Sequence, residues 1–527
     1  GEDVGEYDIL QGTLANGNYA ISYTGAKYTI KDRIYENEDV VIEKTDDGWD
    51  VTLTNDVSGG LRFPDNLGNV RIMLNGYKVV GHESVMESGY NHSSPTLDPN
   101  GYYVRDEIVA VAGGNGICVY HIQETGDPTR LFLSNSMPDT ISEVRGGAGF
   151  AGQGGAGVRC AEDVRDGVGL SLSENVKIVG GAGSPVLVYD YGHKCTTPFC
   201  GGDGVVGLVV RNDGEITGGE GGDGSDVRLA ENGGTGVVGD VAVNYGNING
   251  GRGGRGGDGD DTCGGNGGDG GAAVVGVVGE NYGQITGGQG NDSGWDSICT
   301  GLPGSGGAGV VGNIMRNIGI VVGGDTGRFG AAKYLEGDLT LIRSGTGVVG
   351  NVMTNDGLIA GGDYWLDCGM LREAYIYGTL DDYGVSAPGV KGEVYDNRCV
   401  IASGRNENSS CVGESVDGTV SGKGILADGC CVESPLAEPV HYDGCDHKYE
   451  RNSYDYFCQI VSSDTGRNVG NYTYRLGMCR FADHLNFVNN KSQIDLAWSI
   501  VAAKIADDGS EPGQGVVPEG GLSKFDA

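Results

Sequence analysis

Apolar positions in this chain recur at fixed distances from asparagine and glycine. Between residues 205 and 362 one pattern is written five times: Val-Val-Gly, four residues, then Asn-x-Gly-x-aliphatic-x-Gly-Gly. The copies begin at Val205, Val237, Val274, Val310 and Val348, with starts 32, 37, 36 and 38 residues apart. The asparagines are Asn212, Asn244, Asn281, Asn317 and Asn355, and the aliphatic residues are Ile216, Ile248, Ile285, Val321 and Ile359. The motif is rigid and the spacer between copies varies.

A motif repeated at this interval marks a solenoid, propeller or array. The valines are β-branched and alternate with small or polar residues, which suits a pleated, half-buried surface. Asn-x-Gly reads as a corner, because both residue types tolerate positive φ. The aliphatic residue then re-enters the core, and Gly-Gly allows a further turn. Each copy offers two clear strands and a glycine-rich loop, whereas a propeller blade needs four strands. The pattern therefore predicts a mainly β chain, a right-handed parallel β-helix solenoid with Gly-rich loops. Stacking at about 4.8 Å would align the valines and isoleucines into columns and let the asparagines hydrogen-bond along the axis.

The rest of the chain is read against that register. Residues 1–100 form an N-terminal β region, first coils and cap. Val70, Ile72 and Leu74 face one way there, Asn75-Gly76 turns and Val79 resumes. The first residues either cover the open sheet end or offer a strand to a neighbour. Residues 101–405 carry the Gly-rich repeats. Degenerate copies start at Leu133 and Gly167, the second with Glu174 at the asparagine position, and a later copy starts at Val390. That makes about eight coils. Loops such as 250–261 are either mobile or packed as polyproline-II strands, in which glycine at every third position permits close approach. Residues 406–527 form a small disulfide-rich C-terminal cap or attachment domain. It holds a short helix at 493–506, with Ile494, Trp498, Val501 and Ile505 on one face, and a tail.

The repeat resembles those of autotransporter-type passenger domains and related β-helical surface adhesins over about 165–405. The resemblance implies a surface-exposed β-helix and assigns no active-site residue.

Composition narrows the function. Glycine is 103 of 527 residues, far above the usual ~7%, but without the strict three-residue period of collagen. A net charge of −37 disfavours binding to a phosphate backbone, so no nucleic-acid partner is expected. The 14 cysteines include no Cys-x-x-Cys pair and point to an oxidising compartment. The chain starts without Met and without a leader, as expected of a secreted protein whose signal peptide has been removed. No apolar run is long enough for a membrane-spanning helix, so no membrane insertion is expected.

The cysteine register pairs Cys160 with Cys195, and Cys263 with Cys299, at nearly equal offsets in adjacent coils; stacked loops would bring such pairs within disulfide range. The competing pair is Cys195–Cys200. Sequons at Asn91, Asn291, Asn408, Asn471 and Asn490 are possible glycosylation sites. No cofactor is expected beyond possible calcium, for which Asp258, Asp260 and Asp261 are the candidate ligands. Polysaccharide lyases and hydrolases need carboxylates clustered on one face, and the repeat faces carry Val, Asn, Gly and Ile instead. The sequence thus reads as a non-enzymatic extracellular structural protein, the subunit of a filament, appendage or surface layer, partnered by copies of itself. A glycan-binding surface adhesin is the alternative, and a polysaccharide lyase or hydrolase the distant one.

Overall fold

A computed structural model describes residues 39–82, 113–120, 128–149, 153–160, 169–183, 200–224, 230–258, 264–294, 299–329, 342–364, 386–404 and 415–427 apart from 423, together with short strands elsewhere. Three long sheets run the length of a parallel β-helix, with 10, 12 and 12 strands. Each coil contributes one strand to each sheet. In the Val205 copy these are Val205–Val206, Leu208–Asn212 and Glu215–Thr217. The Val-Val pair is thus a strand of its own, giving three strands per coil, and the described residues form ten three-strand coils where the sequence suggests about eight.

The register is residue on residue. Val205 pairs in line with Val237, Val209 with Val241, Asn212 with Asn244 and Ile216 with Ile248. Each coil therefore delivers three aliphatic side chains to one continuous core. From Val205 to Ile359 these are at most 1% exposed, each stabilising by about 1.5–3 kcal/mol. The corner glycine is the third residue of Val-Val-Gly: Gly239, Gly276 and Gly312 have φ of 140°, 155° and 144°. The glycine of Asn-x-Gly is needed for clearance instead, since a Cβ on Gly246 would meet the carbonyl oxygen of Gly214.

The asparagines form the expected ladder through the core. Asn212 donates to Asn244 at 2.7 Å, and Asn244 to Asn281 and Asn281 to Asn317 at 2.8 Å. Asn317 donates to Asn355, and Asn355 to Asn397, at 2.9 Å. Burying an amide costs free energy unless its donors and acceptors are met. Here each Oδ1 faces the Nδ2 of the coil before it.

The glycine-rich stretches form a second lattice. Residues 250–257 leave the β-helix and 264–271 return. Hydrogen bonds run from Gly271 N to Gly251 O, Gly268 N to Gly254 O and Gly265 N to Gly257 O, at 2.8–2.9 Å. Outgoing segments also bond to one another, with Gly250, Gly253 and Gly256 donating to Thr286, Gln289 and Asp292. Bonding at every third residue is the period of a polyproline-II chain, so the packed alternative holds for these segments. Glycine is obligatory at the contacts: a Cβ on Gly288 would land on the carbonyl oxygen of Gly251.

Four expectations need correction. The segment 493–506 holds the strand Gln493–Val501, antiparallel to Gly470–Gly477, rather than a helix. Ile494, Leu496, Trp498 and Ile500 alternate strictly, a period-two pattern that outweighs the helical spacing. Secondly, the degenerate coils start at Ile117 and Val158, not at Leu133 and Gly167. Leu133 and Leu172 take the asparagine position, not Glu174. In these coils nine and eight residues separate the first and second strands, Ile117–Tyr120 from Arg130–Ser134 and Val158–Cys160 from Gly169–Leu172, and Leu172 lies six positions before Ile178 where Asn212 lies four before Ile216, which displaces a count made back from Gly-Gly. Thirdly, the solenoid passes residue 405: its tenth coil is Val416–Asp417, Val420–Gly422 and Ile425–Ala427. Fourthly, the described cysteines Cys118, Cys160 and Cys200 are free thiols.

Antiparallel strands lie at two sheet ends. Val40–Thr45 pairs with Gly48–Leu53, and Val432–Glu433 pairs with Ile425–Ala427. Gly5–Ile9 pairs with Ala26–Ile30.

Removing one rung should expose the value of the ladder. Asn281→Ala strands the facing amide groups of Asn244 and Asn317 and should cost roughly 2–4 kcal/mol in urea-unfolding experiments. A loss below about 0.5 kcal/mol, the size of a neutral surface change, would contradict this. Gly288→Ala should yield little folded protein, measured as soluble yield and far-UV circular dichroism.

Candidate functional site

The polar side chains that recur in every coil are occupied chiefly by the next coil. In the glycine-rich lattice the amides left free by backbone bonding are taken by Asp and Asn side chains. Asp203 accepts from Thr235 N at 3.0 Å, Asn232 from Asp269 N at 2.9 Å and Asp223 from Arg255 N at 2.7 Å. Asp292 and Asp325 accept from Arg328 N and Asp363 N at 2.8 Å. On the β side Asp240 accepts from Val277 N at 2.8 Å and Asn313 from Asn351 N at 2.9 Å. The abundance of Asp and Asn between glycines thus has a structural origin.

Of the calcium candidates only Asp258 lies among the described residues. Asp258 pairs with Arg255 at 2.9 Å on an exposed edge, while Asp260 and Asp261 lie outside the described residues. No group of three or more His, Cys, Asp or Glu side chains fit for a metal gathers among the described residues.

For the proposed bridges, Cys195 and Cys263 lie outside the described residues. Cys160 sits at the corner below Gly207. Burial, helped by the nearby Cys118, pushes its thiol up to about 12. Cys299 opens the short strand Cys299–Thr300, which pairs in parallel with Tyr334–Leu335, and that with Tyr375–Ile376. Distal parts of three successive spacers therefore keep the coil register.

Among the sequons, Asn91, Asn408 and Asn490 lie outside the described residues, and Asn471 falls within the strand Gly470–Gly477. Asn291 is 8% exposed. Its Nδ2 donates to Gly253 O at 2.8 Å, and its Oδ1 accepts from Arg252 at 2.8 Å. A glycan on Nδ2 would displace these bonds.

Two clusters not anticipated from the sequence flank the ladder asparagines. Tyr245 and Tyr282 stack with centroids 4.8 Å apart and planes 9° from parallel, and the Arg211 guanidinium lies 4.5 Å over Tyr245. The shared Asn-Tyr-Gly of two neighbouring copies is the signal that could have found them. Further along, Asp356 is buried between Arg316, at 3.1 Å, and Arg398, at 3.5 Å. Both clusters join adjacent coils.

Asp203 supplies a pH test. Burial raises its pKa against the opposing hydrogen bonds from Thr235, so its ionised form is penalised in the fold. The penalty operates above the folded pKa and fades as pH falls through it, because the folded carboxyl then takes up its proton. Asp203→Asn keeps the Oδ1 acceptor and should raise stability at neutral pH. The gain should vanish in acid, below the unfolded pKa, when urea midpoints are compared across pH. A variant less stable at neutral pH would refute this assignment.

The chain matches no known protein family, no curated protein and no solved structure.

Proposed function

We propose that this chain is an extracellular structural protein, a right-handed β-helical rod that assembles with its own copies into a filament, appendage or surface layer. The observation that carries this reading is the end of the stack. Val420 lies in register with Val394, at a position whose earlier occupants, from Val209 to Val394, are at most 2% exposed. Val420 itself is 37% exposed. Among the described residues its strand and the adjacent Val416–Asp417 are the last of their sheets. A coil with an exposed core position, and with strand edges left open among the described residues, suits end-on addition of another subunit.

Two further features support the reading. Val275, Val277, Val311, Met315 and Met353 are exposed apolar side chains on three successive coils, and exposed apolar surface is what neighbours cover. The polar groups of the repeat are used mainly for internal stacking, as befits a rod whose task is rigidity. The adhesin alternative gains less from the exposed tyrosines. Arg211 and Tyr282 cover the two sides of Tyr245, which leaves its ring little open face for a sugar.

The net charge of −37 makes neighbouring subunits repel, and salt screens that repulsion over a Debye length of ~8 Å at physiological strength. Negative-stain microscopy at low and physiological salt, with and without reductant, should show filaments one rod wide that lengthen with salt. Val420→Lys should shorten them while circular dichroism stays unchanged. Single rods at every salt concentration would overturn the proposal and move glycan binding to first place.

A further inference from the structure

The stacked tyrosines combine features that neither stacking nor solubility requires. Tyr245 and Tyr282 stand at the same offset in adjacent coils, and their backbones are fixed. Tyr245 N donates to Asn212 O at 2.8 Å, and Tyr282 N to Asn244 O at 2.7 Å. Their rings overlie one another at 4.8 Å, and Tyr245 is 46% exposed, so reagents in solution can reach the pair. The Tyr282 hydroxyl donates to Glu280 Oε2 at 2.9 Å. That carboxylate, the largest cause, keeps the phenol protonated above its usual range and stands ready to receive its proton.

Removing an electron from a phenol is easiest when its proton has an acceptor already hydrogen-bonded. Coupling two phenoxyl radicals is fastest when the rings are held together, because the encounter is then intramolecular. We propose that Tyr245 and Tyr282 are an oxidative cross-linking site, where a one-electron oxidant of the haem-peroxidase and hydrogen-peroxide class joins them into a dityrosine that staples successive coils. Each phenol gives up one electron and one proton, the proton of Tyr282 passing to Glu280. The radicals pair to form a bond between one Cε carbon of each ring. The hydrogens on the joined carbons leave as protons, and both oxygens are reprotonated. In sum, two hydrogen atoms leave the protein and one hydrogen peroxide becomes two waters. The site lies within one chain and stands whether or not the rods polymerise.

The chain contains 26 tyrosines, so selectivity is the test. The native protein is treated with a peroxidase and limiting hydrogen peroxide, and the monomer band is digested with trypsin. The expected product joins peptides 229–252 and 256–316, with the mass of two hydrogens missing and dityrosine fluorescence. Tyr282→Phe preserves a ring in the stack and should abolish this product. Glu280→Gln should slow its formation at neutral pH, with recovery at alkaline pH, where the phenol ionises without help. Tyr395 is an internal control: its hydroxyl also donates to a glutamate, Glu393, at 2.6 Å, but it has no stacked tyrosine among the described residues. It should form no intrachain cross-link. Dityrosine spread over other tyrosines, an unchanged yield in Tyr282→Phe, or no joined peptide would overturn the assignment.

Discussion

The structure depends on one distance, the spacing of about 4.8 Å between hydrogen-bonded strands. Each coil lifts the chain by that amount, and everything attached to the coil must accept it. The β side accepts it readily, because parallel strands have that spacing by nature. The glycine-rich side must match it with chains that make no internal hydrogen bonds. It does so through backbone bonds to neighbours at every third residue, as in Gly271 to Gly251 and Gly268 to Gly254. A side chain at these contacts would occupy the space of the adjacent carbonyl, so the glycine content of the chain is set by the lattice.

A shared rise also explains the choice of side chains in the core. Asparagine carries a donor and an acceptor on one short stem, so identical residues one rung apart satisfy each other. From Asn212 to Asn397 the same amide repeats without a charge being buried. The ladder ends where glycine replaces asparagine: Gly422 lies opposite Asn397, and Asn397 Nδ2 finds no partner among the described residues. On the preceding side the position belongs to leucine, Leu172 and Leu133. The ladder is thus confined to the regular repeats, while the aliphatic core extends beyond both of its ends.

Much of this was legible in the sequence because position and chemistry coincide. The Val, Asn and Ile columns can be read from spacing alone, and the structure keeps them in register. The reading failed where local signals were short or displaced. Two residues, Val-Val, are too few to announce a strand, so the first sheet was invisible until neighbouring coils supplied its partners. Two extra residues between Leu172 and Ile178, six positions apart where Asn212 and Ile216 are four apart, broke the count that placed Glu174 in the ladder. The strand Gln493–Val501 was mistaken because four apolar residues at helical spacing were weighed without their alternating neighbours. The tyrosine pair was missed because aromatic residues one coil apart are 37 positions distant in sequence.

Stacking in register makes like charges costly, since each residue meets its counterpart one rung away. In the described columns, several ionised side chains are interleaved with opposite charge or attached to backbone donors of the next coil. Lys177 meets Glu215 at 2.8 Å, and Asp356 is flanked by Arg316 and Arg398. A part-exposed pair such as Lys177 with Glu215 contributes little to stability. Their value lies in avoiding repulsion along the stack. The residues that do repeat from coil to coil are neutral: valine, isoleucine, asparagine and glycine. An acidic chain can therefore build a long homotypic stack, provided its carboxylates act singly, each bound to a cation or to an amide of the next coil.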